Sequence, residues 1–529
     1  MLAVIFILLI SGFISFLWGR LILQPIEKNY GEQVKTEISM LVGLLTLAFI
    51  IACFHLFLPI QWPLKIAVIL IGLGSIFFNR NVINQYFKWA FSTVNIILFF
   101  VAALSIYIRP GTGDIGDYHL QAMKWAEYTG NVLGLGNFNR PLANNNWWFN
   151  LQSLLGWGEY SLYVLNGLLF VISFSFLLNA YQPKQKEYYL HLGFVFFLAL
   201  SCKTAFVGSV TPDFVVSCII FINSSLFLKA FQSTKDETIS YFIIILLSCF
   251  AITVKLNAAP LALLSLVSFI KIIQNNKGIK LPLLTAVIAI VYFIPWLVGN
   301  VMVSGWLAYP VDGLDLFQVD WKVPKEVLQF ERFSIIQWGK LPGGDIYKTA
   351  QLSLMEWLPG WFNFHDVFNR AMMLIAVISV PIILVFQIKE RNHTILILLS
   401  LAIFGIVFCM SNGPHIRYTF GYMWLIIGLG LYSISHLIQK VFTKSFSYPL
   451  LFVALLLTGT KYIHPPKLSL FEVNAYPHVA IEAQNWNNNQ VYITKNNSSC
   501  WDQFPCSYYM VENCKMRGEN LEDGFRVGE

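Results

Sequence analysis

The sequence predicts an all-α polytopic membrane protein, and three observations carry that expectation. Of 529 residues, 57% are hydrophobic and only 12% are charged, and mean hydropathy is +0.62. A hydrocarbon core about 30 Å thick needs roughly 20 apolar residues per spanning helix, and runs of that length recur along most of the chain. Lysines and arginines fall on alternate connections between the runs, the pattern that marks cytoplasmic loops.

About fourteen spans are expected on this length criterion, at 2–22, 38–60, 63–79, 89–108, 159–180, 188–207, 214–230, 238–255, 257–273, 281–303, 368–388, 393–411, 417–437 and 447–461. The first has no basic stretch before it and no A-x-A site after it, so it reads as a retained helix and not as a cleaved signal peptide. Basic pairs and clusters such as Arg20/Lys28/Lys35, Arg80/Lys88, Lys184/Lys186, Lys229/Lys235, Lys271/Lys277/Lys280, Lys389/Arg391 and Lys440/Lys444 mark the inner loops. The N-terminus, the loops 109–158 and 304–367, and the tail from 462 onward are then extracytoplasmic. The net charge of +7 follows from those inner loops facing anionic lipid and requires no nucleic-acid partner.

The domains expected are a transmembrane domain, 1–461, carrying both outer loops, and a small polar tail, 462–529. The tail contains a strand-like "QVYIT" and the segment "CWDQFPC", in which Cys500 and Cys506 can close a short disulfide in an oxidising compartment, with Cys514 left over or competing. A zinc site there lacks a second matching pair. The remaining cysteines lie within spans and read as small apolar packing residues.

The chemistry concentrates at "GDIGDYHLQAMKWAEYTG", residues 113–130. Asp114, Asp117 and Gln121 are spaced i, i+3, i+7, which on a regular helix puts them on one face. The helix formers that follow suit a helix lying in the membrane interface. The adjoining "GLGNFNRPLANNNWWFN" joins Arg140 to a run of amides that includes Asn144, and to two tryptophans. Amides meet sugar hydroxyls as donors and acceptors, while an aromatic plane suits the apolar ring face. A guanidinium grips phosphate oxygens bidentately. Lys203, Asp213, Lys255 and Arg417 all fall at the outer ends of spans, where ionisable groups are costly and often functional, and together they point to one shared electropositive chamber. Each of these residues also has an ordinary reading as a snorkelling or headgroup-contacting side chain. Glu356, His365 and Asp366 in the second loop offer further acid and base groups. A divalent cation held by His365, Asp366 and the 114/117 pair stays open, because no spacing is diagnostic.

The order "DIGDYHLQAMKW", "GLGNFNRPLANN", "TPDF", "KLNAAPL", "GWLAYP" and a terminal "CWD…PC…LEDGF" resembles a family of bacterial membrane proteins placed with the GT-C superfamily of integral-membrane glycosyltransferases. The resemblance implies a GT-C-like bundle in the bacterial inner membrane. It also implies transfer of a sugar from a polyprenyl-phosphate donor to a glycan, lipid or protein acceptor on the extracytoplasmic face. Asp114 would be the general base; Asp117 departs from the family's pattern, so whether it assists as a second catalytic acid, binds a cation or is simply tolerated stays open, and His119, Gln121, Arg140, Asn144, Lys203, Asp213, Lys255 and Arg417 are the candidates to hold substrate. A polysaccharide polymerase or ligase, or a transporter of a lipid-linked or small substrate, remains an alternative class. A transporter would place buried charge and broken helices near the bilayer midplane.

Overall fold

The computed structural model describes residues 1–30, 34–78, 81–107, 114–156, 163–180, 185–202, 206–235, 237–275, 278–439, 481–487, 489–494 and 499–528. The chain opens with α1 (Leu2–Tyr30) and α2 (Thr36–His55), two helices whose backbones touch. A Cβ on Gly19 would lie 1.7 Å from the carbonyl oxygen of Ser39, and one on Gly43 would lie 1.7 Å from that of Ser15. Such reciprocal glycine contact is how helices pack closely in lipid, where apolar burial gives little net drive.

Next come α3 (Trp62–Phe78), α4 (Asn81–Ala90) and α5 (Thr93–Tyr107). The first long loop follows, with a π-helical turn at Ile115–His119, α6 (Leu120–Tyr128), α7 (Leu135–Phe138), a 3₁₀ turn at Arg140–Ala143 and α8 (Trp147–Leu155). Then α9 (Val164–Ala180), α10 (Lys186–Ser201), α11 (Pro212–Gln232) and α12 (Thr238–Val254) lead through a 3₁₀ turn, Leu256–Leu261, into α13 (Ala262–Asn275) and α14 (Lys280–Ser304). The second long loop carries α15 (Lys325–Lys340), α16 (Ile346–Gln351) and α17 (Leu354–Phe364). The bundle closes with α18 (Val367–Glu390), α19 (His393–Asn412), α20 (Ile416–Ser433) and the short α21 (Ser435–Ile438).

Every expected span up to 417–437 coincides with one of these helices; the span expected at 447–461 lies outside the described residues. Among the described residues seven helices are long and apolar enough to cross a membrane, or eight if α3 and α4 form one bent span, and α5, α9 and α12 are apolar but shorter. Their outward faces are apolar too: Leu70, Phe77, Leu283, Ile290, Val377 and Val385 are all more than half exposed. Contiguous apolar surface on that scale marks a membrane or partner interface. The architecture is therefore that of an all-α, multi-pass membrane protein with a small additional β cap.

The cap is built from β1 (Ile481–Trp486), β2 (Asn489–Thr494), β3 (Cys506–Ser507), β4 (Cys514–Met516) and β5 (Phe525–Val527). The strands form a sheet ordered β1-β2-β3, in which β2 runs antiparallel to β1 and parallel to β3, and a separate antiparallel pair β4-β5. The expected strand at "QVYIT" is β2. Cys500 and Cys506 are disulfide-bonded and Cys514 is free. The cap shares one apolar core with the first long loop, in which Val491, Leu521 and Phe525 pack with Trp125, Leu135, Phe138 and Leu142.

That packing covers α6 on two sides. α6 buries Leu120, Met123 and Trp125 between the cap on one side and α8 on the other. The expected shared face holds only in part: Asp117 and Gln121 both reach the cap, whereas Asp114 points to Arg417. The Leu120 amide donates to the Ile115 carbonyl, five residues back, a widened turn that departs from the regular α register between Asp114 and the residues that follow.

Candidate functional site

Three helix ends meet beneath the π turn. Thr211 and Pro212 start α11, the proline occupying a first-turn position where its missing N–H costs nothing, and Asp213 follows in that first turn. Lys255 is where α12 ends in extended backbone. Arg417 stands in the first turn of α20, whose first orphan amides are served partly by the His415 ring: Nδ1 accepts from the Arg417 N–H at 3.3 Å.

The side chains form an alternating chain of charge. Lys255 Nζ is 2.6 Å from Asp213 Oδ1, and Arg417 Nε is 3.3 Å from Asp213 Oδ2, an ion pair by distance but off hydrogen-bond alignment. Arg417 Nη1 is 2.8 Å from Asp114 Oδ2. Tyr418 lies under both cations, its ring centroid 3.8 Å from Lys255 Nζ and 5.5 Å from the Arg417 guanidinium carbon. Asp213 is the buried anchor at 2% side-chain exposure, while Asp114, at 35%, is the accessible end. Fixing both carboxylates with two cations offsets the desolvation that a lone buried carboxylate would suffer.

Burial acts to raise the Asp114 pKa, but the Arg417 guanidinium, helped by His119 and Lys255, outweighs it and holds the carboxyl at about 2. His119 is 1% exposed, packs at a tilt against Phe149 with 4.7 Å between ring centroids, and among the described residues has no hydrogen-bond partner at either ring nitrogen. Burial lowers its pKa to about 4. Burial and the neighbouring Arg417 likewise take His415 to about 3, so both imidazoles are neutral near pH 7.

The other expected residues sit apart from this chain. Asp117 turns toward the cap, where its Oδ2 accepts from the Tyr509 hydroxyl at 3.4 Å; burial, with Asp114 nearby, pushes its carboxyl up. The Arg140 guanidinium lies 4.6 Å from the Phe330 ring centroid and 5.4 Å from that of Tyr509, with Glu331 Oε2 3.8 Å from its Nε. Gln121 is fully buried and committed to the cap: its amide nitrogen donates to the Gln503 carbonyl at 2.6 Å and the Trp501 carbonyl at 3.4 Å, and its oxygen accepts from the Cys506 amide at 3.0 Å. Asn144 is exposed and donates to the Pro141 carbonyl at 3.2 Å. Lys203 lies outside the described residues.

In the second loop, Glu356 forms a capping box with Ser353 and Asp366 caps α18 through the Asn369 amide, which are helix-end roles. Among the described residues no three of His, Cys, Asp and Glu converge as a metal-holding group. Tyr418 and Tyr509 are participants that the sequence reading passes over. Tyr418 was accessible from its place beside Arg417 in "HIRY", whereas Tyr509 lies nearly 400 positions from Asp117 with no spacing to link them, |i−j| being 392.

No curated protein matches the chain. Residues 1–424 match a protein family described as a domain of unknown function, DUF8201; that stretch contains Asp114, Asp213, Lys255 and Arg417 and ends before the cap. The chain belongs to that family.

Proposed function

We propose that the protein is a membrane glycosyltransferase of GT-C type, with about fourteen crossings on the length criterion, acting on the extracytoplasmic face with a polyprenyl-phosphate-linked sugar as donor. The observation that carries this reading is the single chain Asp114–Arg417–Asp213–Lys255. It joins an accessible carboxylate to two cations at one end of α11, α12 and α20, beneath the first outer loop.

The chemistry follows from charge. With Arg417 on Asp114 the carboxylate is a weak base. A phosphate entering beside Arg417 and Lys255 competes for both cations, and as Arg417 turns to the phosphate the Asp114 pKa climbs back toward the ordinary carboxylate range. Asp114 then takes the proton of the acceptor hydroxyl while that oxygen bonds to the anomeric carbon. The bond from that carbon to the phosphate oxygen breaks, its electron pair leaves with the phosphate, and Arg417 and Lys255 stabilise the departing anion. Asp213, held on Lys255 throughout, keeps the cations in place.

The test is sugar transfer in liposomes from polyprenyl-phosphate sugars to candidate acceptors, comparing wild type with Asp114→Asn at equal folded protein. Transfer that is lost in the near-isosteric variant supports the reading. Undiminished transfer removes Asp114 as the base, and no transfer by wild type from any such donor removes the reading itself.

A further inference from the structure

One ring away from the charge chain lies a second polar feature that the proposed chemistry does not use. Phe149, which carries His119 on one side, also walls a cavity of about 40 Å³ lined by His55, Asn131, Asn145, Asn146 and Asn150. The exposed Asn144 sits at its rim. No acid, lysine or arginine lines it among the described residues.

Some of these amides are structural. Asn145 donates to the Trp296 carbonyl at 3.2 Å and accepts the Trp296 indole N–H on its backbone at 3.0 Å, and Asn146 caps α8 through the Trp148 amide at 2.9 Å. Two are not. Asn150 is 9% exposed, yet neither it nor Asn131 makes a side-chain hydrogen bond among the described residues. His55 uses only Nδ1, 3.3 Å from the Leu58 carbonyl. Asn150, buried, and Asn131, half-buried, thus line one space with both donor and acceptor capacity spare.

The size and polarity of that space select a ligand. A cavity of this volume admits about three water-sized groups, too few for a whole pyranose ring but enough for its hydroxyl edge. Each hydroxyl both donates and accepts, which matches an amide pair, and a lining without charge gives no advantage to an anion. We propose that this cavity is the subsite for the hydroxyl edge of a neutral sugar. It rests on the transferase reading for the sugar's fate, and divides recognition between an electropositive chain for phosphate and an uncharged amide pocket for the sugar, with Phe149 between them.

The experiment is saturation-transfer NMR on the detergent-purified full chain with millimolar methyl glucopyranoside, galactopyranoside and mannopyranoside. It compares wild type, Asn150→Leu and Asn131→Leu, each first shown by thermal melting to be folded. Binding of at least one glycoside by wild type, weakened about tenfold or more by either substitution, is expected from the loss of an amide that both donates and accepts. Asn131, half-buried in the lining, keeps the test available if Asn150→Leu does not fold. Equal binding by wild type and the folded variants, or no glycoside bound by wild type, overturns the subsite and leaves a water-filled structural cavity. Asparagine-dependent binding without any transfer in liposomes leaves the subsite standing and removes the transferase reading. Transfer at wild-type affinity in the asparagine variants does the reverse.

Discussion

Arg417 bridges Asp114 and Asp213, with Nη1 2.8 Å from one carboxylate and Nε 3.3 Å from the other. One guanidinium thus couples the accessible acid of the first long loop to the buried acid of α11, and no lysine has the breadth to do so. Arg417→Lys is therefore expected to behave as a loss, leaving one carboxylate unpaired. Transfer should fall about a hundredfold or more, as for removal of a positioned donor to developing charge, while Asp114→Asn falls about a thousandfold for loss of the base. Initial rates at equal folded protein check both, and near-normal transfer by Arg417→Lys would remove the bridge from the mechanism.

The same bridge predicts a pH response. Arg417 holds the folded-state pKa of Asp114 below its ordinary value of 3.8, at about 2, against the opposing effect of burial. A depressed carboxylate adds stability that is present above the unfolded value and is lost as pH falls through the folded one. The contribution of Asp114 should therefore persist down to about pH 4 and disappear between about 4 and 2. In Arg417→Gln the carboxyl loses its main cation, so its titration moves upward. Melting temperature against pH, compared with Asp114→Asn as the background, should show the Asp114-dependent loss between about pH 4 and 2 shrink or vanish in Arg417→Gln.

Lys255 and Asp213 predict a different signature, in stability. Asp213 is 2% exposed and its closest cation is Lys255. Removing Lys255 leaves Asp213 with only the poorly aligned Arg417 Nε, so part of the roughly 3 kcal/mol cost of breaking a buried pair is expected, whereas replacing both members by apolar groups is often near neutral. Lys255→Met should lower the melting temperature substantially, and Lys255→Met combined with Asp213→Leu should recover much of it while remaining inactive. Simple additivity of the two single losses would show that the pair is not coupled.

How much of this was legible in the sequence depends on the range of the interaction. Apolar runs and positive loops located the helices because both signals are local to each span, and the ionisable residues at span ends drew attention because charge near lipid is costly. That Asp213, Lys255 and Arg417 share one cluster was inferable from their common side. The π turn at Ile115–His119 was not, since nothing in "IGDYH" distinguishes a hydrogen bond five residues back from one four back, and it separates Asp114 from Asp117. Gln121 was also opaque: its partners lie at Trp501, Gln503 and Cys506, and only the folded cap brings them near.

The cap supplies the last prediction, because it grips the segment that bears Asp114. The Trp501 amide donates to the Gly116 carbonyl at 3.0 Å, and Gln121 holds the carbonyls of Trp501 and Gln503 and the amide of Cys506. All of these backbone groups belong to the loop closed by the Cys500–Cys506 bond, a sequence separation of 6. Closing a loop this short contributes about 2 kcal/mol through the unfolded chain, so reduction loosens the cap more than the bundle. Because the freed loop no longer fixes Gly116, two residues from Asp114, transfer should fall in Cys500→Ser/Cys506→Ser while the main melting transition of the helical domain moves little. Gln121→Leu should copy that loss of transfer with the disulfide intact, since the cap's carbonyls and the Cys506 amide lose their buried partner. If the double serine variant transfers sugar normally, the cap is a passive cover, and the π turn holds Asp114 in place without it.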